Sequence, residues 1–311
     1  MIPEICEILT MESTITSGAV YPQEVWRAIA QRQYERANQW TDPYRERRAS
    51  GTLHPVYDFL FVYYRVRPTQ LEVWHPQFGI TLTGAGEETF YQHRFYRHDS
   101  NDATLDPSRM EPSARHRLEM ALRLCETVYE RPPKFGCFGM HEWAMVYRGD
   151  FEGEIRHSEQ LPLRLSQKET DAFVRSQPIA CSHSDAFRFF SEGAKPFNRV
   201  QPTKETRIDH EQCGCLHTNM DLYKICGQCM PWVGSDLLWR CFEFAIEARI
   251  LDMRASPYDC RSLGFDPIPI ETPEGRADYE RLQRGLHERA QPLRKEIIDC
   301  LQDVLVRGKR G

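Results

Sequence analysis

Two segments of the chain share one spacing, His54-x3-Asp58 and His217-x3-Asp221. Residues four apart on a helix lie on the same face. Each spacing therefore sets an imidazole beside a carboxylate and aims both into one cavity. Such a pair either ligates a metal or uses the carboxylate to orient the imidazole for proton transfer. A single pair reads equally well as a local hydrogen bond plus a helix cap or an arginine partner. Two pairs in aromatic surroundings strengthen the chemical reading. Two such helices facing each other would resemble the metal sites of helical bundles.

Further groups could join them. In Cys181-Ser182-His183-Ser184-Asp185-Ala186-Phe187-Arg188, Ser182 or Ser184 can cap a helix carrying Asp185 and Arg188. His183 then sits at the helix N-terminus, where the dipole favours a neutral imidazole. In Phe135-Gly136-Cys137-Phe138-Gly139-Met140-His141-Glu142-Trp143, the glycines allow close backbone approach to a ligand. The second histidine of H-E-x-x-H is missing, which excludes the zinc-protease pattern. As strand neighbours, His141 and Glu142 would face opposite ways, and His141 is the one chosen as acid or base. Arg254 could clamp an anionic group bidentately or pair with Asp252 or Asp259. His75, in Trp74-His75-Pro76, reads as a turn histidine. Cys213-x-Cys215 and Cys226-x2-Cys229 approach zinc-ligand spacing, and read otherwise as small core thiols.

The elements that must position these groups are mostly helices. Apolar periodicity and caps predict helices over 22–40, from Pro112-Ser113 to Pro132-Pro133, from Ser235-Asp236 through Arg249, and from Thr272-Pro273 to about Leu305 with a bend near Pro292. The aromatic run 54–66 reads as a buried helix, with strand as the alternative. Strands are expected at 79–83 and 89–96, as a hairpin around Gly84-Ala85-Gly86, and at 143–147; 100–111 reads as a loop. The expected fold is mainly α: an N-terminal segment 1–20, then a single helical domain over 21–311 with a small β-hairpin insertion.

Bulk properties narrow the function. The 311 residues carry a net charge of -5, without the basic face that phosphate-backbone binding calls for. This argues against a nucleic-acid partner. No segment approaches the ~20 apolar residues of a membrane helix, and no signal-peptide pattern opens the chain. A cytoplasmic location is the expectation, with the eleven cysteines as thiols or metal ligands.

Four motifs, His54-Pro55-Val56-Tyr57-Asp58-Phe59-Leu60-Phe61, Trp74-His75-Pro76, Phe135 to Trp143 and Asp252-Met253-Arg254-Ala255-Ser256-Pro257-Tyr258-Asp259, resemble a largely uncharacterised bacterial family with many actinobacterial members. Its members commonly carry the label 3-methyladenine DNA glycosylase. The resemblance covers most of the chain, from about Trp26 to Arg294, and the label implies excision of alkylated bases.

Three functions follow as expectations. The first is a metal-dependent enzyme, an iron-dependent oxidoreductase acting on a small anionic substrate. His54, Asp58, His183, Asp185, His217 and Asp221 supply the metal ligands, His141 serves as acid or base, and Arg254 or Arg188 holds the substrate. Iron is favoured over zinc or manganese, and a haem with one axial histidine is the variant. The second is a DNA glycosylase with Trp143, Tyr57 or Tyr64 stacking on the base and Asp58 or Asp221 supporting the developing cation. The third is an interaction module stabilised by zinc on Cys213, Cys215, Cys226 and Cys229.

Overall fold

A computed structural model describes residues 18–86, 88, 91, 93–149 and 161–308. The fold is mainly α with one small sheet, as the periodicity predicts. Its centre is a pair of helices, α9 (Leu216–Gln228) and α10 (Ser235–Ala255). They are joined by only six residues and pack along each other, so they run antiparallel. Most positions of α10 are buried, which fits a helix that is apolar on most sides. Phe242 lies at its middle, against Trp40, Phe61, Tyr223 and Trp239. The long C-terminal helix α11 (Pro273–Arg307) covers this pair and also packs on α4 (Pro112–Glu130). Thr272 caps α11 by accepting a hydrogen bond from the Gly275 N–H.

The first helix, α1 (Gln23–Ala49), continues past the expected end at residue 40 and through Pro43. The run 54–66 is not one helix. Residues 54–58 form a turn, followed by one helical turn, α2 (Phe59–Val62), and then by α3 (Pro68–Glu72). The side chains explain the break. His54 Nδ1 accepts the N–H groups of Val56 and Tyr57, and Asp58 accepts the N–H of His54. Local side-chain acceptors here compete with helical pairing. Arg65 closes the segment with a left-handed φ of 55°.

The sheet also departs from expectation. Its order is β1 (Val20–Tyr21), β2 (Thr81–Leu82), β4 (Asp102–Leu105), β3 (Tyr96–Asp99), with β1 and β2 parallel. The hairpin lies at 96–105, its second strand inside the 100–111 that reads as loop, and turns at Ser100, whose φ is 58°. The strand expected at 89–96 falls partly outside the described residues, and 93–95 are a turn. Residues 143–147 are not a strand; Met140–Met145 form helix α5. A short apolar run leaves the period ambiguous, and the left-handed glycine before it starts a helix. Three short helices complete the frame of the site: α6 (Gln167–Ser176), α7 (Ser184–Phe187) and α8 (Arg207–His210). Among the described residues, no helix is long and apolar enough to cross a membrane.

Candidate metal centre and its cavity

The antiparallel pairing of α9 and α10 brings the first turn of one beside the last turn of the other. His217 and Asp252 meet there, with His217 Nε2 3.5 Å from Asp252 Oδ2. Helix α5 supplies a third group. Phe138 (φ 48°) and Gly139 (φ 67°) turn the chain through the left-handed region immediately before α5. His141 then points inward, its Nε2 3.7 Å from Asp252 Oδ1, and its ring lies 4.1 Å from that of His217. One ligand atom from each of His141, His217 and Asp252 lies within 4.8 Å of the others, so this triad could hold a metal ion. The next residue, Glu142, is also turned inward, with Oε1 3.4 Å from His141 Nε2. The helical geometry puts both residues in the site, which corrects the expectation that only one of them would face it.

A second buried triad adjoins the first. His183 Nε2 lies 3.3 Å from Asp221 Oδ2 and 3.7 Å from Glu211 Oε1, and these three groups could also hold an ion. The ring of His183 is 5.6 Å from that of His217. His183 caps α7, its Nδ1 accepting the Ala186 N–H, which leaves Nε2 to carry the proton of a neutral ring. Arg207 already occupies the carboxylate side of this triad, with Nε 2.6 Å from Glu211 and Nη2 2.5 Å from Asp221. The first triad also carries a guanidinium on its carboxylate. Arg249 forks between Glu142 (2.8 Å) and Asp252 Oδ2 (2.7 Å) and stacks 4.0 Å over the Phe59 ring.

Charge distinguishes this region from an ordinary core. Glu142, Glu211, Asp221 and Asp252 are all buried; the buried Arg249 and the half-buried Arg207 pair with them, and the half-buried Lys224, shared with Asp185, lies 3.8 Å from Asp221. The buried carboxylates still outnumber these permanent cations, and buried charge without a partner is costly. Without metal, the imidazoles take up the difference. Burial alone would lower the pKa of His141, but Asp252 and Glu142 raise it to about 9. Burial and His141 both lower that of His217, yet Asp252 brings it to about 9. His141 Nε2 and Asp252 Oδ1 are buried and make no hydrogen bond among the described residues. Glu211 Oε2 and Asp221 Oδ1 share that state. Orphaned buried polar atoms of opposite character facing each other are what a bound cation would satisfy.

The first triad borders a cavity of about 550 Å³. His141, Glu142, His217 and Arg249 form its buried polar wall, while Phe59, Val62, Met145, Leu161 and Phe189 make most of the rest apolar. Volume and lining are those of a small-molecule site. Thiols lie behind the histidines. Cys137 and Cys181 hydrogen-bond to each other, and that contact, with His141 and His217 nearby, lowers the Cys137 pKa.

The spacing-based pairs therefore separate. His217 and Asp221 share α9 but join different triads. His54 borders the cavity, stacked on Tyr57, while Asp58 is held bidentately by Arg47, which removes it from a ligand role. Asp185 pairs with Lys224 (2.8 Å) and lies outside both triads. Arg188 borders the cavity, whereas Arg254 does not and donates to the Asp266 carbonyl. His75 is bonded to the Tyr96 hydroxyl, away from the cavity. The four cysteines do not converge: Cys226 contacts Cys241 at 3.6 Å, and Cys213 donates to the Arg131 carbonyl. Sequence reasoning missed Asp252, Glu142, Arg249, Glu211 and Arg207. Asp252 stood beside the chosen Arg254, and its i−3 relation to Arg249 on a helix was the available signal.

No family model matches the chain, and no curated protein and no solved structure is similar to it.

Proposed function

We propose that this protein is a metal-dependent enzyme that uses His141, His217 and Asp252 to bind one divalent transition-metal ion at the wall of the apolar cavity. The observation that carries the reading is the pair of orphaned, buried atoms His141 Nε2 and Asp252 Oδ1, 3.7 Å apart beside His217, in a region where buried carboxylates outnumber the permanent cations that pair with them. Two imidazoles and one carboxylate leave further positions of a metal open, the donor set suited to non-haem Fe(II). Iron is therefore the first candidate and a redox reaction on a small substrate the first activity, with manganese and zinc as alternatives for the same ligands. Glu142 stands within reach of the ligating His141, and despite burial Arg249 and His141 hold its carboxyl well below the usual range, so it is an ionised carboxylate beside that imidazole. Arg249 Nη1 donates to both carboxylates and limits their rotation.

Metal content and anaerobic titration test the reading. Purified protein reconstituted with Fe(II), Mn(II) or Zn(II) should retain about one equivalent of tightly bound metal. The His141→Ala and His217→Ala variants should fold and lose it. Wild-type protein that binds none of the three, or variants that bind as wild type does, would reject the site.

A further inference from the structure

The cavity beside the triad has a neighbour. A second cavity of about 400 Å³ adjoins it, and Tyr63, Arg65 and Arg188 line both. The two differ in chemistry. The larger is walled mostly by apolar side chains. The smaller is polar and basic: Arg65, Arg188 and Lys224 line it, and Asp185 is the only carboxylate among its described lining residues.

Three features show that this wall is built rather than incidental. Arg65 is held at φ 55°, a conformation costly for a residue with a long side chain. It is exposed and makes no hydrogen bond or ion pair among the described residues, so no local contact accounts for that conformation. Arg188 lies 4.4 Å over the Phe189 ring, which also lines the larger cavity, and its side chain is 61% exposed. Its guanidinium thus sits above an aromatic wall, with Nε 3.6 Å from Asp185 and its other donors left over. Lys224 is anchored by Asp185 at 2.8 Å. Tyr63 stacks on Phe59 at 4.7 Å and carries the aromatic wall up to the basic rim.

We propose that the two cavities together bind one anionic amphiphile, with its apolar body in the larger cavity beside His141 and His217 and its carboxylate or phosphate head on Arg65, Arg188 and Lys224. This deepens the metal-enzyme reading, on which it rests for the placement of the reacting part of the body near the triad. An apolar wall rejects a free hydrophilic anion, because desolvating it there yields no compensating bond. The guanidiniums in turn discriminate against a neutral chain of the same length, since a planar fork binds carboxylate and phosphate oxygens in pairs.

Isothermal titration of the full chain, below micelle-forming concentrations and in excess chelator, separates this proposal from the metal reading. The probes are decanoate, decyl phosphate and 1-decanol. At least one anion should bind about ten-fold more tightly than decanol, and the tighter of the two identifies the head group. Arg65→Gly, which relieves the left-handed strain while deleting the charge, and Arg188→Gln should each erase most of that preference and leave decanol binding unchanged. Preferential anion binding by wild-type protein that holds none of Fe(II), Mn(II) and Zn(II) would leave this proposal standing and sink the metal reading alone. Equal binding of all three probes, no binding of any, or an unchanged preference in both arginine variants would overturn the proposal.

Discussion

His217 and Asp221 stand one turn apart on the same helix, yet they serve different partners. His217 Nε2 faces Asp252 Oδ2 at 3.5 Å, while Asp221 Oδ2 faces His183 at 3.3 Å and Arg207 at 2.5 Å. One helical turn thus feeds two adjoining triads. A guanidinium bonds a carboxylate in each, Arg249 on Asp252 and Arg207 on Asp221, but only the histidines of the first triad border the larger cavity.

That asymmetry separates the effects of two similar substitutions. Asp252→Asn removes a ligand and one charge that His141, His217 and Arg249 all face. It should lower metal affinity at least ten-fold and destabilise the fold by about 3–5 kcal/mol, the usual cost of breaking a buried ion pair. Asp221→Asn removes a charge that Arg207, His183 and Lys224 all face, and should destabilise by a similar amount. It should leave the stoichiometry and affinity of the first metal site unchanged. Urea unfolding and metal titration of the two variants check this, and equal loss of metal in both would show that the site spans the two triads.

Much of the frame was legible in the sequence because its signals are local. The periodicity of 112–130 and 235–249 needs only neighbouring residues, and both helices start where they should, the second running on to Ala255. The site was less legible because its contacts span the chain. His141 meets Asp252, and Glu142 meets Arg249, through the antiparallel packing of α9 and α10 against α5, and no spacing encodes that. The H-x3-D pattern misled at residue 54 for a physical reason: Pro55 and the side-chain acceptors of His54 and Asp58 make a turn, so the two residues never share a helical face. At residue 217 the helix was right, but an α-helical face is wide enough for positions four apart to reach different neighbours. The strand reading of 143–147 cost Glu142, since a period of two turns it away from the site and a period of 3.6 does not.

The histidines predict a proton-linked metal affinity. Burial opposes their charging, but Asp252 raises both, with Glu142 adding to His141, so each titrates at about 9 without metal, above the ordinary 6.5. Metal must displace these protons, because only the neutral imidazole ligates. Between pH 7 and 8, binding should release about one to two protons and tighten as pH rises, levelling above about 9. The sign for stability is the reverse. Folded, metal-free protein binds more protons than the unfolded chain between 6.5 and 9, so this contribution is full below 6.5 and is lost as pH rises through 9. Titration calorimetry in buffers of different ionisation enthalpy counts the protons, and unfolding of the metal-free protein between pH 7 and 10 reads the stability. Proton-independent binding would mean that the imidazoles are not the ligands.

The turn before α5 is the hinge on which the site depends. Gly139 has φ 67°, and a Cβ built there would meet only the Tyr279 hydroxyl at 3.5 Å and Asp252 Oδ1 at 3.8 Å, ordinary contact distances. Gly139→Ala therefore adds backbone strain rather than a clash, about 1–2 kcal/mol. Relaxing that strain would rotate the first turn of α5 and carry His141 and Glu142 away from Asp252. The alanine variant should lose stability by that amount and bind metal more weakly. Gly139→Asn, whose side chain tolerates the left-handed region better, should fall between alanine and wild type in both measurements. If asparagine and alanine are equally damaging, the loss comes from the added atoms in the space beside Tyr279 and Asp252. If neither changes metal affinity, the left-handed turn does not position the triad.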